Sequence, residues 1–144
     1  MQSEVLLGAA TVRPMEPTDA EACSALDPVG LSPAIFQERL AGSCIGYVVE
    51  LDGEIVCFAL FRLLAEGEVA DMGKLVNSQR GAPLGKALLG HMRLKLKALG
   101  VRQVVSRCDA TMVRYYKSVG GVVTGKLPNF YAVGHDAVAM SCEL

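Results

Sequence analysis

An amphipathic helix that begins beside a glycine-containing loop constrains the fold of this chain more than any other feature. From Leu84 to Leu99, apolar residues recur at spacings of four and three, the pattern of a helix with one buried face. Gly100 supplies the C-terminal stop. The predicted inward residues are Leu84, Leu88, Met92, Leu96 and Leu99. The rest of the chain has to be arranged around the apolar face of this helix.

Apolar segments on either side of the helix predict two strands. Glu68 to Val76 precedes the loop, and Val101 to Ser106 follows the helix. In a strand–loop–helix–strand unit, ligands bind at the carboxyl ends of the strands, against the helix N-terminus. We therefore expect the functional site at the loop that leads into Leu84.

The remaining patterns surround this unit with further strands and helices. Strands are predicted at Thr11–Met15, Cys44–Glu50, Ile55–Leu63, Val122–Thr124 and Ala137–Cys142. Helices are predicted to begin at the Thr18–Glu21 capping box, at Ser32-Pro33 and at Asp109. The 144 residues fit one domain, 1–144, with residues 1–10 as a loose leader. The predicted class is α/β (α+β), with about six to seven strands and about four helices.

Composition and charge exclude several classes of protein. The formal net charge is −1, whereas a general nucleic-acid binder needs a basic excess. No apolar run reaches the ~18 residues of a membrane helix, and the first residues lack the basic start of a secretory signal. The widely spaced cysteines are Cys23, Cys44, Cys57, Cys108 and Cys142. Without a C-x-x-C pair, they predict free thiols in a reducing cytoplasm and no metal site.

The segment from Gln79 to Leu89 has the features of an anion site. Free backbone N–H groups and the helix dipole favour a phosphate there, and Gly81 and Gly85 allow a ligand close to the backbone. Arg80 and Lys86 add positive charge. The segment is not a P-loop, because Arg80 stands at the first glycine position. It is not a dinucleotide fingerprint either, because its two glycines have the wrong spacing.

Three motifs together resemble the GNAT superfamily of N-acetyltransferases. Arg80 to Leu89 is similar to the family's pyrophosphate loop, which precedes a leucine-rich helix. Tyr116 to Gly121 resembles its Y-x-x-x-G-F motif, and the tail from Asn129 to Met140 is similar to the end of ribosomal-protein-alanine N-acetyltransferases. The order of elements matches as well, so the resemblance covers the chain from about Thr11 onward.

The resemblance implies the GNAT fold, which has a mixed, mostly antiparallel central sheet. It also implies an enzyme that moves an acetyl group from acetyl-coenzyme A (acetyl-CoA) to a primary amine by direct attack. Tyr116 matches the tyrosine that acts as general acid toward the departing sulfur. Candidates for the general base are Asp71 and Glu68, on the strand that carries the base in some relatives, and His135. A water-relayed base is also open.

The resemblance further implies which residues hold acetyl-CoA. The backbone of the strand around Leu75 would bind the pantetheine arm, and Asp109 corresponds to a residue that touches the coenzyme. The implied set is Lys74, Leu75, Val76, Arg80, Gly81, Ala82, Pro83, Leu84, Gly85, Lys86, Asp109 and Tyr116. The acceptor stays open between a protein or peptide N-terminus, an amino acid and a small amine, and a homodimer stays open too.

Four positions depart from the family pattern. Pro83 stands at the central glycine of the loop and lacks an N–H donor. Val104 stands where the alanine acetyltransferases have a Glu, and Asp109 and Gly121 replace an Asn and an aromatic residue. These departures motivate a rival hypothesis, a protein that binds or senses acyl-CoA without turnover. An acetyltransferase of the toxin–antitoxin type is disfavoured, because the chain lacks the basic surface that tRNA binding requires.

Overall fold

The computed structural model describes residues 5–7, 10–27, 31–78 and 84–144. Its strands are β1 (Val5–Leu7), β2 (Ala10–Pro14), β3 (Cys44–Leu51), β4 (Glu54–Leu64), β5 (Val69–Asn77), β6 (Gln103–Cys108), β7 (Val122–Ala132) and β8 (His135–Glu143). Its helices are α1 (Ala20–Leu26), α2 (Pro33–Ala41), α3 (Leu84–Ala98) and α4 (Val113–Ser118). Short 3-10 turns precede α1 and α4, and another joins β4 to β5.

The strands form one mixed sheet in the order β1-β2-β3-β4-β5-β6-β8-β7. Among the described strands, β5 and β6 are the parallel pair, and the other neighbours are antiparallel. The predicted class, a mixed and mostly antiparallel sheet with four helices, is confirmed. The loose leader expected over residues 1–10 does not hold for Val5–Leu7, which pairs with β2 and extends the sheet edge.

Each face of the sheet buries its own apolar cluster. On one face, Leu88, Met92 and Leu96 of α3 pack against Ala70 and Met72 of β5. Burial of this helix face removes apolar surface from water. The spacing of three and four residues therefore predicted correctly that Leu88, Met92 and Leu96 face the core.

On the opposite face, α1 and α2 cover the sheet. Phe36 of α2 is completely buried and meets the ring of Phe58 edge-on at 5.5 Å between ring centroids. Cys23 of α1 and Met15 also belong to this second cluster. The strands β4 and β5 therefore run between two apolar layers, and their side chains alternate between the two faces.

Several local signals act as expected. The Ser32 hydroxyl accepts a hydrogen bond from the backbone N–H of Ile35 at 3.3 Å and caps α2. Asp52 and Gly53 have φ values of 52° and 80° and form the tight turn between β3 and β4. All five cysteines are free. None of the four described helices is long and apolar enough to cross a bilayer.

The helix predicted to begin at Thr18–Glu21 is confirmed, because α1 begins at Ala20, although Glu16 and Asp19 form the capping box in the 3-10 turn before it. Asp19 accepts a hydrogen bond from the Glu16 backbone N–H at 2.7 Å. Two other local predictions are wrong. Leu99 lies beyond the end of α3 and is 60% exposed. The strand predicted at Val122–Thr124 is too short, because β7 extends to Ala132 and its pairing with β8 continues past two register shifts.

Candidate active site

The parallel strands β5 and β6 separate at their carboxyl ends. Their pairing runs from Val69 opposite Gln103 to Met72 opposite Ser106. Beyond Met72, β5 continues to Asn77 with β4 as its neighbour, and β6 continues with β8 as its neighbour. Among the described strands, the two facing edges beyond this point have no strand partner. We call this opening the β5–β6 split, and its backbone groups can hydrogen-bond an extended ligand.

A bulge at Gly73 controls which side chains face which side of β5. Met72 pairs with Phe61, whereas Lys74 pairs with Leu60, so Gly73 is an extra residue on β5. Before the bulge, Met72 packs against α3, and after it Leu75 does so. Because the bulge resets the alternation, Lys74 lies on the same face as Asp71, toward α1 and α2.

A buried ion pair ties this face of β5 to the end of α1. The Lys74 Nζ lies 3.0 Å from Oδ2 of Asp27, whose side chain is fully buried. Asp27 also accepts a hydrogen bond from the Leu31 backbone N–H at 3.2 Å. The Lys74 side chain therefore ties Asp27, at the end of α1, to β5. Its predicted coenzyme role rests on its backbone alone.

The N-terminus of α3 borders the other side of the split. An added Cβ at Gly85 would lie 2.7 Å from the Tyr115 hydroxyl and 3.5 Å from the Asn77 side-chain nitrogen. Only glycine leaves room for that hydroxyl at the first turn of the helix. The Tyr115 hydroxyl thus lies beside the first turn of α3, where an anion would bind.

Tyr116 is half-buried and packs against the core beneath α3. Burial is the main cause that raises the pKa of its phenol, and the nearby Cys108, Tyr115 and Tyr131 raise it further. Tyr116 lines a small cavity together with Met72 and Ser106, the last paired residues of β5 and β6, so it lies beside the start of the split. With a raised pKa, the hydroxyl stays protonated at neutral pH and is available as a hydrogen-bond donor.

Asp71 lies on the opposite face, one residue before the split begins. It is buried, and Nη2 of Arg107 is 2.9 Å from its Oδ1 and donates a hydrogen bond to its Oδ2 at 3.2 Å. The Oδ1 contact lacks hydrogen-bond geometry, so this buried oxygen accepts no hydrogen bond among the described residues. The Arg62 guanidinium lies 3.8 Å from Oδ2. Asp71 is therefore a buried carboxylate held in an ion pair with Arg107.

A cavity of about 700 Å³ opens beside Asp71 on the α2 side of the sheet. Its lining includes Ile35, Arg39, Arg62, Asp71, Gly73 and Arg107. Gly73 and Arg107 directly follow Met72 and Ser106, the last β5–β6 pair. The cavity therefore extends from α2 to the start of the split. A molecule in this cavity would meet a ligand held along the split.

The other two candidates for the base lie away from this cavity. Glu68 precedes β5 at its far end, is mostly exposed, and has Arg102 at 3.8 Å. His135 contacts Asp109, whose Oδ1 accepts a hydrogen bond from the Thr111 backbone N–H at 2.9 Å. That backbone hydrogen bond, followed by His135, lowers the pKa of Asp109 to about 2. The structure therefore brings Asp71, and neither Glu68 nor His135, to the cavity.

Cys108 could have suggested a covalent acyl intermediate. It is buried, and its Sγ lies 3.7 Å from the Met140 sulfur. Burial raises the pKa of this thiol, and the charge of Asp109 raises it further. A protonated, buried thiol is a poor nucleophile, so nothing in the surroundings of Cys108 favours a covalent acyl intermediate.

Comparison with solved structures identifies the fold. The ribosomal-protein-S18-alanine N-acetyltransferase from Escherichia coli superposes with a TM-score of 0.82 at 20% identity over 93% of both chains. A GNAT-family acetyltransferase from Streptococcus pneumoniae gives 0.78 at 20% identity, covering 94% of this chain and 99% of that one. This chain has the GNAT acetyltransferase fold. The aminoglycoside 6'-N-acetyltransferase from Enterococcus faecium gives 0.76 at 15% identity, covering 99% of this chain and 96% of that one.

The likeness to known proteins is one of structure. No protein-family model and no curated protein matches the sequence. Within the GNAT fold, the structure brings Tyr116, Leu75, Val76 and the first turn of α3 to the β5–β6 split. The predicted Arg80, Gly81, Ala82 and Pro83 lie outside the described residues.

Sequence reasoning missed several residues of this GNAT-fold site. Arg107 was overlooked because the predicted strand ended at Ser106, although a charge at the carboxyl end of a buried strand is a usable signal. Arg62 and Tyr115 have no comparable local signal, because their neighbours Asp71 and Gly85 belong to other elements of the fold. Val104, where relatives carry a Glu, packs against the α3 core.

Proposed function

We propose that this protein is an acetyl-CoA-dependent N-acetyltransferase of the cytoplasm that acetylates a primary amine by direct attack. The observation that carries the proposal is the position of Tyr116 and Asp71 on opposite faces of the β5–β6 split. One supplies a protonated phenol and the other a buried carboxylate. The acetyltransferase activities of proteins with the same fold support the same function.

The donor side of the split fits an extended thioester. The edge of β5 beyond Gly73 offers backbone groups to a pantetheine arm, around Leu75 and Val76. The N-terminus of α3 offers free N–H groups beside Gly85, and Lys86 adds a cation there. When bound, acetyl-CoA supplies the activated acetyl group. We assign Arg80 to Pro83, Leu84 and Asp109 to this same coenzyme site.

The acceptor side supplies the base. An amine attacks a thioester only as the neutral species, so it must lose a proton at or before the attack. We assign this role to the Asp71 carboxylate, which lines the cavity beside the split. The new bond joins the amine nitrogen to the acyl carbon while the carbon–sulfur bond breaks.

Tyr116 completes the transfer on the donor side. Its hydroxyl donates a hydrogen bond to the departing sulfur, and the proton that the amine loses balances the proton that the thiol gains. Since burial keeps this phenol protonated, the donor is present throughout the physiological pH range. A positioned acid of this kind contributes on the order of 10²- to 10⁴-fold in rate.

Calorimetric titration with acetyl-CoA, followed by an amine panel with a free-thiol readout, tests the proposal. We expect binding and amine-dependent release of coenzyme A thiol. The Asp71→Asn variant should bind acetyl-CoA normally and release thiol much more slowly, with Glu68→Gln as the matched carboxylate control. Binding without release for any amine would overturn catalysis and favour a protein that senses acyl-CoA. Absence of binding would overturn the coenzyme site.

A further inference from the structure

We propose that the acceptor is a small amine that carries its own carboxylate, the chemistry of a free amino acid, and that Arg62 and Arg39 bind this carboxylate. The inference rests on the proposed function, because it names the substrate class of the same cavity. It is carried by the distribution of charge between the floor and the mouth of the 700 Å³ cavity.

The floor of the cavity holds the ion pair of Asp71 and Arg107, whereas its mouth carries exposed arginines. The Asp71 side chain is 10% exposed at the floor, and Arg107 beside it is 28% exposed. Arg62 is 58% exposed, and Arg39 on α2 is exposed as well. A molecule that enters with its amine first would therefore leave any carboxylate of its own among the arginines of the mouth.

The two mouth arginines have little else to bind. The nearest carboxylate to Arg62 is Asp71 at 3.8 Å, which already pairs more closely with Arg107. Among the described residues, no ion pair involves Arg39, and Glu38 is an exposed neighbour on the same helix. Arginine binds carboxylates through its planar fork, so an unsatisfied pair at a cavity mouth is suited to an anionic group.

Both arginines also act electrostatically on Cys44, another residue of the lining. Burial is the main cause that raises the pKa of the Cys44 thiol. The charges of Arg39 and Arg62 both lower it, whereas the charge of Asp71 raises it. Cys44 itself lines the cavity, so both guanidinium groups and the Asp71 carboxylate act across the same space.

This arrangement disfavours other classes of amine. A polycationic acceptor would meet like charges at the mouth, which costs binding energy. A peptide N-terminus would bring an uncharged backbone to the arginines and leave them without a partner. A cavity of several hundred Å³ is also the size of a small-molecule site.

The test compares the standard free L-amino acids with their C-terminal amides, using acetyl-CoA and a free-thiol readout. Each pair has the same amine and side chain and differs in the carboxylate. We expect the best free amino acid to have a kcat/KM about 10- to 100-fold above that of its amide, from one to two charge-assisted hydrogen bonds. Peptides and polyamines form two further arms.

Variants assign the effect to the mouth of the cavity. Arg62→Gln and Arg39→Gln should each raise KM for the free amino acid about 10-fold, with little change in kcat and little effect on the amide. The control is Arg102→Gln, which removes an exposed arginine at the far end of β6. Its kinetics should match those of the unmodified protein.

A binding measurement separates this inference from the proposed function. Calorimetry of the coenzyme A-saturated protein with the same amino acids and amides reports recognition without turnover. Preferential binding of amino acids without thiol release would support the inferred acceptor class and overturn catalysis. Equal or better use of amides, peptides or polyamines would overturn the inference and leave the acetyltransferase proposal intact.

Discussion

The two faces of β5 differ sharply in chemistry although they share one backbone. Toward α3, the strand presents Met72 and Leu75 to an apolar core, with the protonated Tyr116 nearby. Toward α1 and α2, it presents Asp71 and Lys74, each paired with a charge of opposite sign. The split between β5 and β6 connects these two environments.

This difference shows how one strand can border both the donor site and the acceptor site of a group transfer. A water-poor, neutral wall suits a thioester and a phenol that must stay protonated. A charged wall suits an amine that must lose a proton. The bulge at Gly73 makes both possible, because it moves Lys74 to the charged face and keeps Leu75 on the apolar one.

The largest effect is expected at the buried ion pair of the charged face. Asp27→Ala leaves Lys74 buried without its partner and should reduce the free energy of unfolding by about 3–5 kcal/mol. Chemical denaturation measures this loss. Glu68→Ala, which removes an exposed pair, should cost no more than about 1 kcal/mol. Equal losses for both variants would show that the charged face contributes no special stability.

The next effect concerns the apolar face. Tyr116→Phe should lower kcat about 10²-fold or more while acetyl-CoA affinity and the melting temperature stay close to those of the unmodified protein. Tyr115→Phe is the matched control and should change kcat far less.

The same residue makes a prediction about pH. Because the pKa of Tyr116 is raised above its ordinary value of 10.0, deprotonation of this phenol should cause no decline in kcat up to about pH 10. A decline at neutral to mildly alkaline pH that disappears in Tyr116→Phe would contradict the proposed environment of the phenol.

A smaller effect is expected where α3 meets the split. Gly85→Ala puts a methyl group against the Tyr115 hydroxyl and should weaken acetyl-CoA binding about 10-fold by calorimetry. Adding Tyr115→Phe removes the clash and should restore most of the affinity. Gly90→Ala in the same helix meets open space, so it should leave binding unchanged. A Gly85 defect that persists in the double variant would exclude this contact as its cause.

The smallest effect lies at the cap of the segment that leads into α4. The pKa of Asp109 in the folded protein, about 2, lies below its ordinary value of 3.8, so its carboxylate stabilises the fold above that value. This contribution is lost as the pH falls through about 2. The melting-temperature advantage over Asp109→Asn should therefore shrink as the solution is acidified. A constant advantage over the acid range would rule out the charge as its origin.

Local patterns in the sequence were sufficient for the helices α2 and α3, the Asp52-Gly53 turn and the order of strands and helices along the chain from β2 onward. Each depends on residues close in the chain, through the helical period, a cap or a turn conformation. The sequence also indicated Tyr116 and Asp71 as candidates. It misjudged Leu99, because a periodic pattern does not reveal where a helix stops being covered.

The arrangement of the site depends on contacts between residues far apart in the chain. Asp71 and Arg107 are 36 positions apart, and Asp27 and Lys74 are 47 apart. No local rule predicts that β5 and β6 separate after Met72, or that Gly73 bulges and changes the face of Lys74. Sequence patterns report which residues are apolar and how they repeat, whereas the neighbour of each charge is set by which strands pair and where that pairing ends.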